Sequence, residues 1–365
     1  MKIKAVVEYL ESIAPRSLQE SYDNAGLIVG DKNIVVTGIL IALDTIEAVL
    51  EEAIEKGCNL IVAHHPIVFG GLKSFTGKNY VERVIIKAIK NDIAIYAAHT
   101  NLDNVYRNGV NGKIAEKLGL TKTQILNPKK GLLKKLSVFV PVDATERIKN
   151  ALFEVGAGSI GNYSECSFRT EGLGSFKANS SSNPTVGKIG TQHQEKEHKL
   201  EVVFPAYLQS TIVRSLIQAH PYEEVAYDVY TLDNVHQEIG SGLVGELEEP
   251  METRAFLNML KQNMQAEGIR YTALCKKEIK RVALCGGAGS FLLRNAIGAQ
   301  ADIFITGDYK YHQFFDAENR IIIADIGHYE SEQYTIELFY ELLTQKFRNF
   351  AIHCTEVNTN PINYL

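Results

Sequence analysis

The stretch NLIVAHHP (residues 59–66) predicts a buried strand with candidate functional residues at its end. In it an apolar run of strand length ends in two adjacent histidines, and a proline then stops strand pairing. Such runs are typical of parallel strands buried on both faces, and functional residues in open α/β sheets collect just past the carboxyl ends of the strands. Because successive strand residues face opposite ways, His64 and His65 are expected to bind two neighbouring metal ions, one each. The alternative is a pair of solvated loop histidines.

Two further apolar runs end in residues that bind metals. The run IAIYAA (residues 93–98) is followed within a few residues by Asp103, and IIIADIG (residues 321–327) is followed by His328 and Glu332. His328 and Glu332 are four residues apart, so they share one face if a helix begins there. Three strand ends therefore carry candidate ligands, which weakens the alternative of solvated loop histidines.

The candidate ligands combine imidazoles with carboxylates. They are His64, His65, Asp103, His328 and Glu332. A closed structural zinc site uses four ligands and usually includes cysteine. A mixed His/carboxylate set with a shared glutamate instead suits two ions about 3.5–4 Å apart with open water positions. His99 could orient one of these ligands or could pack in the core.

The composition excludes several classes of protein. A chain of 365 residues exceeds the usual size of a single core, so two domains are expected. A net charge of −5 argues against a nucleic-acid partner. The five cysteines show no CxxC spacing, and no apolar run has the length of a membrane span. Glu8 and Glu11 interrupt the apolar pattern at the beginning of the chain, so a signal peptide is not expected there. These features predict a cytoplasmic protein with no membrane partner.

The order of elements predicts an α/β core that is interrupted by an insert. Strands and helices alternate up to about residue 125 and again from about residue 240, which predicts mostly parallel sheets with flanking helices. The intervening order of strand, helix, strand, strand, helix, strand is that of a ferredoxin-like α+β domain. We predict a core made of residues 1–126 and 239–365, with an inserted domain at residues 127–238. Because candidate ligands lie on both sides of the insert, the outer segments must fold together.

Local patterns add several expectations. Asp44 or Thr45 is predicted to cap the helix that follows. Residues 127–131 are predicted to be a connector, and the Gly/Ser/Asn-rich stretch at residues 172–190 is predicted to contain a loop. A long C-terminal helix is predicted to end at Lys346.

Two other motifs lie at predicted strand ends. Asp308 and His312 are four apart at the opening of a helix predicted for residues 309–315, and they could act as general acid and base. The alternative is an aspartate that interacts with the helix dipole and a structural histidine. The GGAGS motif at residues 286–290 could cradle a phosphate, but it lacks the spacing of a P-loop or a dinucleotide fingerprint. A tight turn without a ligand is the alternative.

Several motifs, taken together, are similar to those of a known family. They are YDNAGLIVG (22–30), AHHPIVF (63–69), HTNLDN (99–104), TGDYKYH (306–312) and IGHYESE (326–332). Through these motifs the whole chain resembles the Nif-three-like family, also called GTP cyclohydrolase 1 type 2 homologues. The middle segment resembles the insert found in some members of that family, through GAGSIGNYSECSF (156–168) and HPYEEVAYDVY (220–230).

The resemblance implies a dinuclear metal centre and a homohexamer built as a ring of three dimers. It carries the metal-ligand role to the same five residues that the strand ends had suggested, with Glu332 bridging both ions. It also implies that the insert is similar to the ferredoxin-like domains of small signalling and cation-tolerance proteins. The cyclohydrolase name by itself establishes no reaction.

These observations predict a dinuclear metal-dependent hydrolase of a small nucleotide or phosphorylated substrate. The cofactor is predicted to be two divalent ions per subunit, with zinc first and iron, manganese or cobalt as alternatives. Asp308 or His312 would transfer a proton. The competing hypothesis is a non-catalytic, metal-responsive regulatory or binding protein in which the inserted domain is the sensor.

Overall fold

Short apolar runs form the buried strands of a mixed α/β fold, as the sequence predicts, and amphipathic segments form its helices. The computed structural model describes residues 1–365. In chain order the strands are β1 (Gly26–Val29), β2 (Ile39–Ala42), β3 (Leu60–Ala63), β4 (Ala94–Ala97), β5 (Thr121–Pro128), β6 (Leu133–Pro141), β7 (Phe168–Lys177), β8 (Gln192–Pro205), β9 (Tyr227–Thr231), β10 (Gly240–Glu252), β11 (Arg270–Tyr271), β12 (Glu278–Ala288), β13 (Ile303–Gly307), β14 (Ile322–Asp325) and β15 (Ile352–Cys354). The α-helices are α1 (Ile3–Ile13), α2 (Glu47–Glu55), α3 (Tyr80–Lys90), α4 (Thr100–Asp103), α5 (Val110–Lys117), α6 (Thr145–Glu154), α7 (Gln209–Ala219), α8 (Thr253–Asn263), α9 (Leu293–Gly298), α10 (His328–Glu332) and α11 (Thr335–Lys346). None of the helices has the length and hydropathy that crossing a bilayer requires.

The chain divides into two units. One unit joins Met1–Pro128 to Glu238–Leu365, and the other is Lys129–Gln237. The segments on either side of Lys129–Gln237 therefore build one structure, which contains two sheets.

The first sheet has five strands in the order β1-β4-β3-β2-β15. Strands β2, β3, β4 and β15 are parallel, and β1 pairs antiparallel with β4 at the edge. Every residue of β2, β3 and β4 is buried, because helices cover parallel strands on both faces. Helix α3 is one of these covers, and Asn79 caps it by accepting a hydrogen bond from the backbone N–H of Glu82.

The second sheet has six strands in the order β11-β14-β13-β12-β10-β5. The three strands β12, β13 and β14 are parallel, whereas β10, β5 and β11 pair antiparallel. The prediction of mostly parallel sheets is therefore wrong for this sheet, because β5 and β10, on either side of Lys129–Gln237, pair with each other. Strand β5 comes from the first part of the chain and β15 of the first sheet comes from the last part. The two outer segments are thus joined through both sheets.

The second unit contains a four-stranded antiparallel sheet in the order β7-β8-β6-β9. Alternate residues of β6, such as Val138 and Val140, pack with Ile148 of α6 and Leu216 of α7 in one core. Both helices therefore cover the same face of the sheet, and the residues between these core positions point to the other face.

The structure corrects four local expectations. Residues 127–128 end strand β5 rather than forming a connector. The predicted helix at residues 309–315 begins only at Tyr311, because Lys310 is extended, and it is a 3-10 helix that ends at Ala317. The C-terminal helix is divided into α10 and α11 at residues 333–334.

The fourth correction concerns the start of α2. The helix begins at Glu47, with Ile46 at the N-cap and no capping hydrogen bond from a side chain. Asp44 and Thr45 therefore do not cap it. The carboxylate of Asp44 has different partners, which belong to the site described next.

Candidate metal centre

The candidate ligands follow the carboxyl ends of β3, β4 and β14. His64 and His65 come directly after β3, Asp103 is the last residue of α4, and His328 and Glu332 are the first and last residues of α10. The structure brings all five together as two groups that share Glu332, one with His64 and Asp103 and the other with His65 and His328. In each group the potential ligand atoms lie within 4.8 Å of one another.

Glu332 is the centre of this arrangement and is almost completely buried. Its Oε2 atom lies 2.9 Å from Nε2 of His65, 3.0 Å from Nε2 of His328 and 3.7 Å from Nε2 of His64. Nε2 of His64 is in turn 3.6 Å from Oδ1 of Asp103. A single carboxylate thus faces three imidazole nitrogens.

The other nitrogen of each imidazole is held by the surrounding protein. Nδ1 of His64 donates to the carbonyl oxygen of Ala98 at 2.8 Å. Nδ1 of His65 lies 2.7 Å from Oδ1 of Asp44, and Nδ1 of His328 lies 2.8 Å from Oδ2 of Asp308. These contacts orient the rings and direct the three Nε2 atoms towards Glu332. Metal-binding histidines commonly have such a carboxylate or carbonyl partner on the other ring nitrogen.

Two buried atoms at the centre lack a hydrogen-bond partner. They are Nε2 of His64 and Oδ1 of Asp103. Since Nδ1 of His64 carries the proton that Ala98 accepts, Nε2 presents a lone pair to two carboxylates. Buried acceptors that face one another in this way are costly unless a cation lies between them. The residues present therefore fit a divalent metal ion with nitrogen and oxygen ligands.

The pKa shifts reflect the same concentration of charge. Burial raises the pKa of Asp103 well above its usual range, and the neighbouring Glu332 carboxylate raises it further. Burial lowers the pKa of His64. Burial also opposes a charge on His65 and on Glu332. For His65 the contacts with Asp44 and Glu332 outweigh it and raise the pKa to about 10, and for Glu332 the imidazoles outweigh it and hold the pKa well below its usual range.

His99 extends the cluster. It forms a third group of potential ligand atoms with His64 and His65, and its ring centroid lies 5.3 Å from each of theirs. Nδ1 of His99 lies 2.8 Å from Oδ1 of Asp23, whose other oxygen accepts hydrogen bonds from the N–H and hydroxyl of Thr100. His99 is thus oriented by a carboxylate, as are His65 and His328.

Two carboxylates of the site were not predicted as such from the sequence. Asp44 was expected only as a helix cap, yet it contacts His65 and accepts a hydrogen bond from Thr359. Asp23 lies in a polar stretch before β1 that is equally typical of a turn, so the sequence did not identify it as the partner of His99. For Asp44 the available signal was its position just beyond β2, because β2, β3 and β4 all end at the same edge of the sheet.

The predicted proton-transfer residues differ in their surroundings. Asp308 has a φ of 55° and is in contact with His328. His312 is exposed on the 3-10 helix, and its ring contacts that of Tyr311. The structure thus brings Asp308, but not His312, to the cluster.

The glycine-rich motif at residues 286–290 packs against the candidate ligand Glu332. Its N–H groups at Gly286, Gly287 and Gly289 donate to side chains at 2.9 Å, so they are already occupied. A Cβ at Gly287 would lie 2.4 Å from Oε1 of Glu332. The motif therefore allows the backbone to approach Glu332 closely, which favours the tight turn over the phosphate cradle.

Comparisons with known proteins agree over the full length. Residues 1–361 match the family model of Duf34/NIF3 (NGG1p interacting factor 3). The chain is 37% identical to a GTP cyclohydrolase 1 type 2 homolog of Bacillus subtilis, over 99% of this chain and 98% of the relative. It is 36% identical to one of Staphylococcus aureus, over the full length of both. Among solved structures, a Bacillus cereus protein related to NIF3 covers 100% of this chain and 99% of its own, with 38% identity and a TM-score of 0.87.

Proposed function

This chain belongs to the Duf34/NIF3 family, and from that premise we propose that it is a dinuclear metal-dependent hydrolase of a small nucleotide or phosphorylated substrate. The observation that carries the proposal is the position of Glu332, whose carboxylate belongs to two separate groups of potential ligands. A carboxylate shared between two imidazole-containing groups supports a pair of ions rather than one.

The proposed ligands are His64, His65, Asp103, His328 and Glu332. Divalent ions held by them would lower the pKa of a coordinated water and polarise the substrate. Asp44 and Asp308 would keep the imidazoles of His65 and His328 in the orientation that binding needs. Proton transfer by Asp308 or His312 stays a prediction, and the contact with His328 makes Asp308 the nearer candidate.

A cavity next to His328 is the proposed substrate site. It has a volume of about 550 Å³, which is within the usual range for small-molecule sites, and its lining includes Asp308, His328, Arg270 and Tyr364. Arg270 forms an ion pair with the buried Asp325, and its side chain is 63% exposed. A guanidinium has five N–H donors, so Arg270 retains donors that suit a phosphate group.

The finer parts of the proposal follow the family resemblance. We propose zinc as the metal, with iron, manganese and cobalt as alternatives, and a homohexamer as the assembly. We also propose that the unit Lys129–Gln237 is an inserted ferredoxin-like domain. Its element order β6, α6, β7, β8, α7, β9 and its sheet order β7-β8-β6-β9 support this assignment.

Metal analysis and turnover with a matched pair of variants test the proposal. The native protein, loaded with zinc or manganese, should retain two ions per chain and hydrolyse at least one member of a panel of nucleotides and phosphoesters. Glu332→Gln should lose both metal and turnover. Glu330→Gln is the control, because Glu330 is buried in the same helix but contacts Asn360 outside the ligand groups. A native protein that retains fewer than two ions contradicts the dinuclear site.

The second candidate function is that of a metal-responsive binding protein. A cavity of about 560 Å³ in the second unit favours it, because a hydrolase has no evident need of a further site there. Under this hypothesis Glu332→Gln should abolish the homohexamer. Under the hydrolase hypothesis the same variant should lose turnover and keep the assembly, which light scattering can measure.

A further inference from the structure

The second unit contains a cavity on the sheet face that the helices leave uncovered. Strand residues of its wall include Phe139 of β6, Phe176 of β7 and Glu197 of β8. Phe139 lies between the core residues Val138 and Val140, so it points away from α6 and α7. The volume of about 560 Å³ would hold a small organic molecule.

The structure assigns this cavity to a small organic cation: we propose that it binds a protonated primary amine attached to an apolar or aromatic body. The proposal is independent of the metal centre and of any hydrolase activity. It rests on a buried carboxylate, on the charge of the surrounding groups and on the aromatic walls.

Glu197 is the buried carboxylate. It is only 8% exposed, and it forms no ion pair with a lysine, arginine or histidine. The opposite strand makes room for it, because a Cβ at Gly174 would lie 2.0 Å from Oε2 of Glu197. A buried carboxylate without a cation is costly, and an ammonium group is the ligand that compensates it best.

The surroundings of Glu197 are acidic and aromatic. The hydroxyl of Tyr222 is buried close to Glu197, and no other group is a hydrogen-bond partner for it. Burial raises the pKa of that hydroxyl, and the carboxylates of Glu197, Glu195 and Asp143 raise it further. The wall of the cavity contains more acidic than basic side chains, because Lys177 is its one basic residue. The rings of Phe139, Phe176 and Tyr222 complete a wall that suits a cation attached to an apolar body.

The loop after β7 closes one side of the cavity. The backbone N–H of Asn183 donates to Oε2 of Glu223 at 2.8 Å, and the hydroxyl of Thr185 donates to the carbonyl oxygen of Pro221 at 3.1 Å. The loop is therefore attached to the segment that carries Tyr222. A metal ion is not the expected occupant, because the groups of side chains that could hold one all lie in the other unit.

Calorimetric titration of the full-length, metal-loaded protein with phenethylamine tests the proposal. The neutral isostere 2-phenylethanol is the matched ligand, since it differs only in the ammonium group. We expect saturable binding of one phenethylamine per chain. The alcohol should bind about 10- to 100-fold more weakly, which is the usual contribution of a hydrogen bond to a charged group. Equal affinity for the two ligands, or the absence of saturable phenethylamine binding, overturns the proposal.

Variants locate the binding. Glu197→Gln keeps the shape and removes the charge, so phenethylamine affinity should fall about 10- to 100-fold while the circular dichroism spectrum stays unchanged. Glu201→Gln is the control, because Glu201 lies on the same strand but pairs with Lys199 outside the cavity. Gly174→Ala should also weaken binding by displacing the Glu197 carboxylate. If Glu197→Gln binds phenethylamine as tightly as Glu201→Gln does, the cavity is not the amine site.

Discussion

The Gly287→Ala variant tests whether Glu332 is held where both ligand groups need it. A Cβ at this position would lie 2.4 Å from Oε1 of Glu332, whereas ordinary contacts begin near 3.4 Å. The carboxylate must therefore retreat by about 1 Å, the difference between those two distances. Metal sites tolerate deviations of only about 0.2 Å in ligand distance, so a displacement of this size should disrupt both groups.

Gly287→Ala should have two effects, a loss of stability from backbone strain and a loss of metal affinity from the contact with Glu332. A second variant, Gly57→Ala, separates them. Gly287 has a φ of 61°, and an L-residue in this region costs about 1–2 kcal/mol of stability. Gly57 has a φ of 67° and nothing within 4 Å of its hypothetical Cβ, so Gly57→Ala imposes the same backbone strain without the contact. Both variants should lose about 1–2 kcal/mol in urea unfolding of the metal-free protein. Gly287→Ala alone should lose metal affinity, by at least about 10- to 100-fold.

Competition with a chromophoric chelator measures the affinity, and metal analysis after gel filtration measures the stoichiometry. If Gly287→Ala holds two ions with native affinity, the assignment of Glu332 as the shared ligand is wrong. If Gly57→Ala loses as much metal affinity as Gly287→Ala, the loss reflects general destabilisation and the reasoning from the contact fails.

Three further predictions concern other parts of the chain. Asp44→Asn should weaken metal binding about 10- to 100-fold in the chelator assay, because His65 loses the carboxylate that orients it, and native affinity would exclude that role. Backbone N–H donors, with that of Thr76 first, lower the pKa of Glu82 to about 2, so the stability that Glu82 confers should be present above its usual pKa of about 4.3 and lost as the pH falls towards 2. The difference in thermal unfolding between native protein and Glu82→Gln should shrink over this interval, and a constant difference would contradict the assignment. Phe204→Ala should cost about 3–5 kcal/mol in urea unfolding because Phe204 is fully buried, and it should leave the metal content unchanged. Loss of metal in a folded Phe204→Ala protein would contradict the second part.

Part of the fold could be predicted because some strands are buried on both faces. Strands β3, β4 and β14 appear in the sequence as uninterrupted apolar runs, and their ends are marked by histidine or acidic residues. Strands β5 and β7 have no such signal, since β7 is mostly exposed and both are rich in polar residues or glycine. Their extended form depends on partners far along the chain, in β10 and β8.

The site shows the same division between local and distant information. The residues that face Glu332 were predictable, because each follows an apolar run at a strand end. The groups that orient them were not, since Asp44 is 21 residues from His65 and Asp23 is 76 residues from His99. A sequence pattern identifies residue types that bind metals. Only the folded chain shows which carboxylate lies behind which imidazole.

The separation of 267 residues between His65 and Glu332 matters during translation. At about 5–20 residues per second, a ribosome adds Glu332 roughly 13–53 s after His65. Throughout that interval the nascent polypeptide contains His65 but not Glu332. Strand β15, which pairs with β2, has not yet been synthesised either. If the proposed ligands bind metal, tight loading would therefore require the finished translation product, and prematurely terminated fragments should be recognisable by their failure to acquire metal.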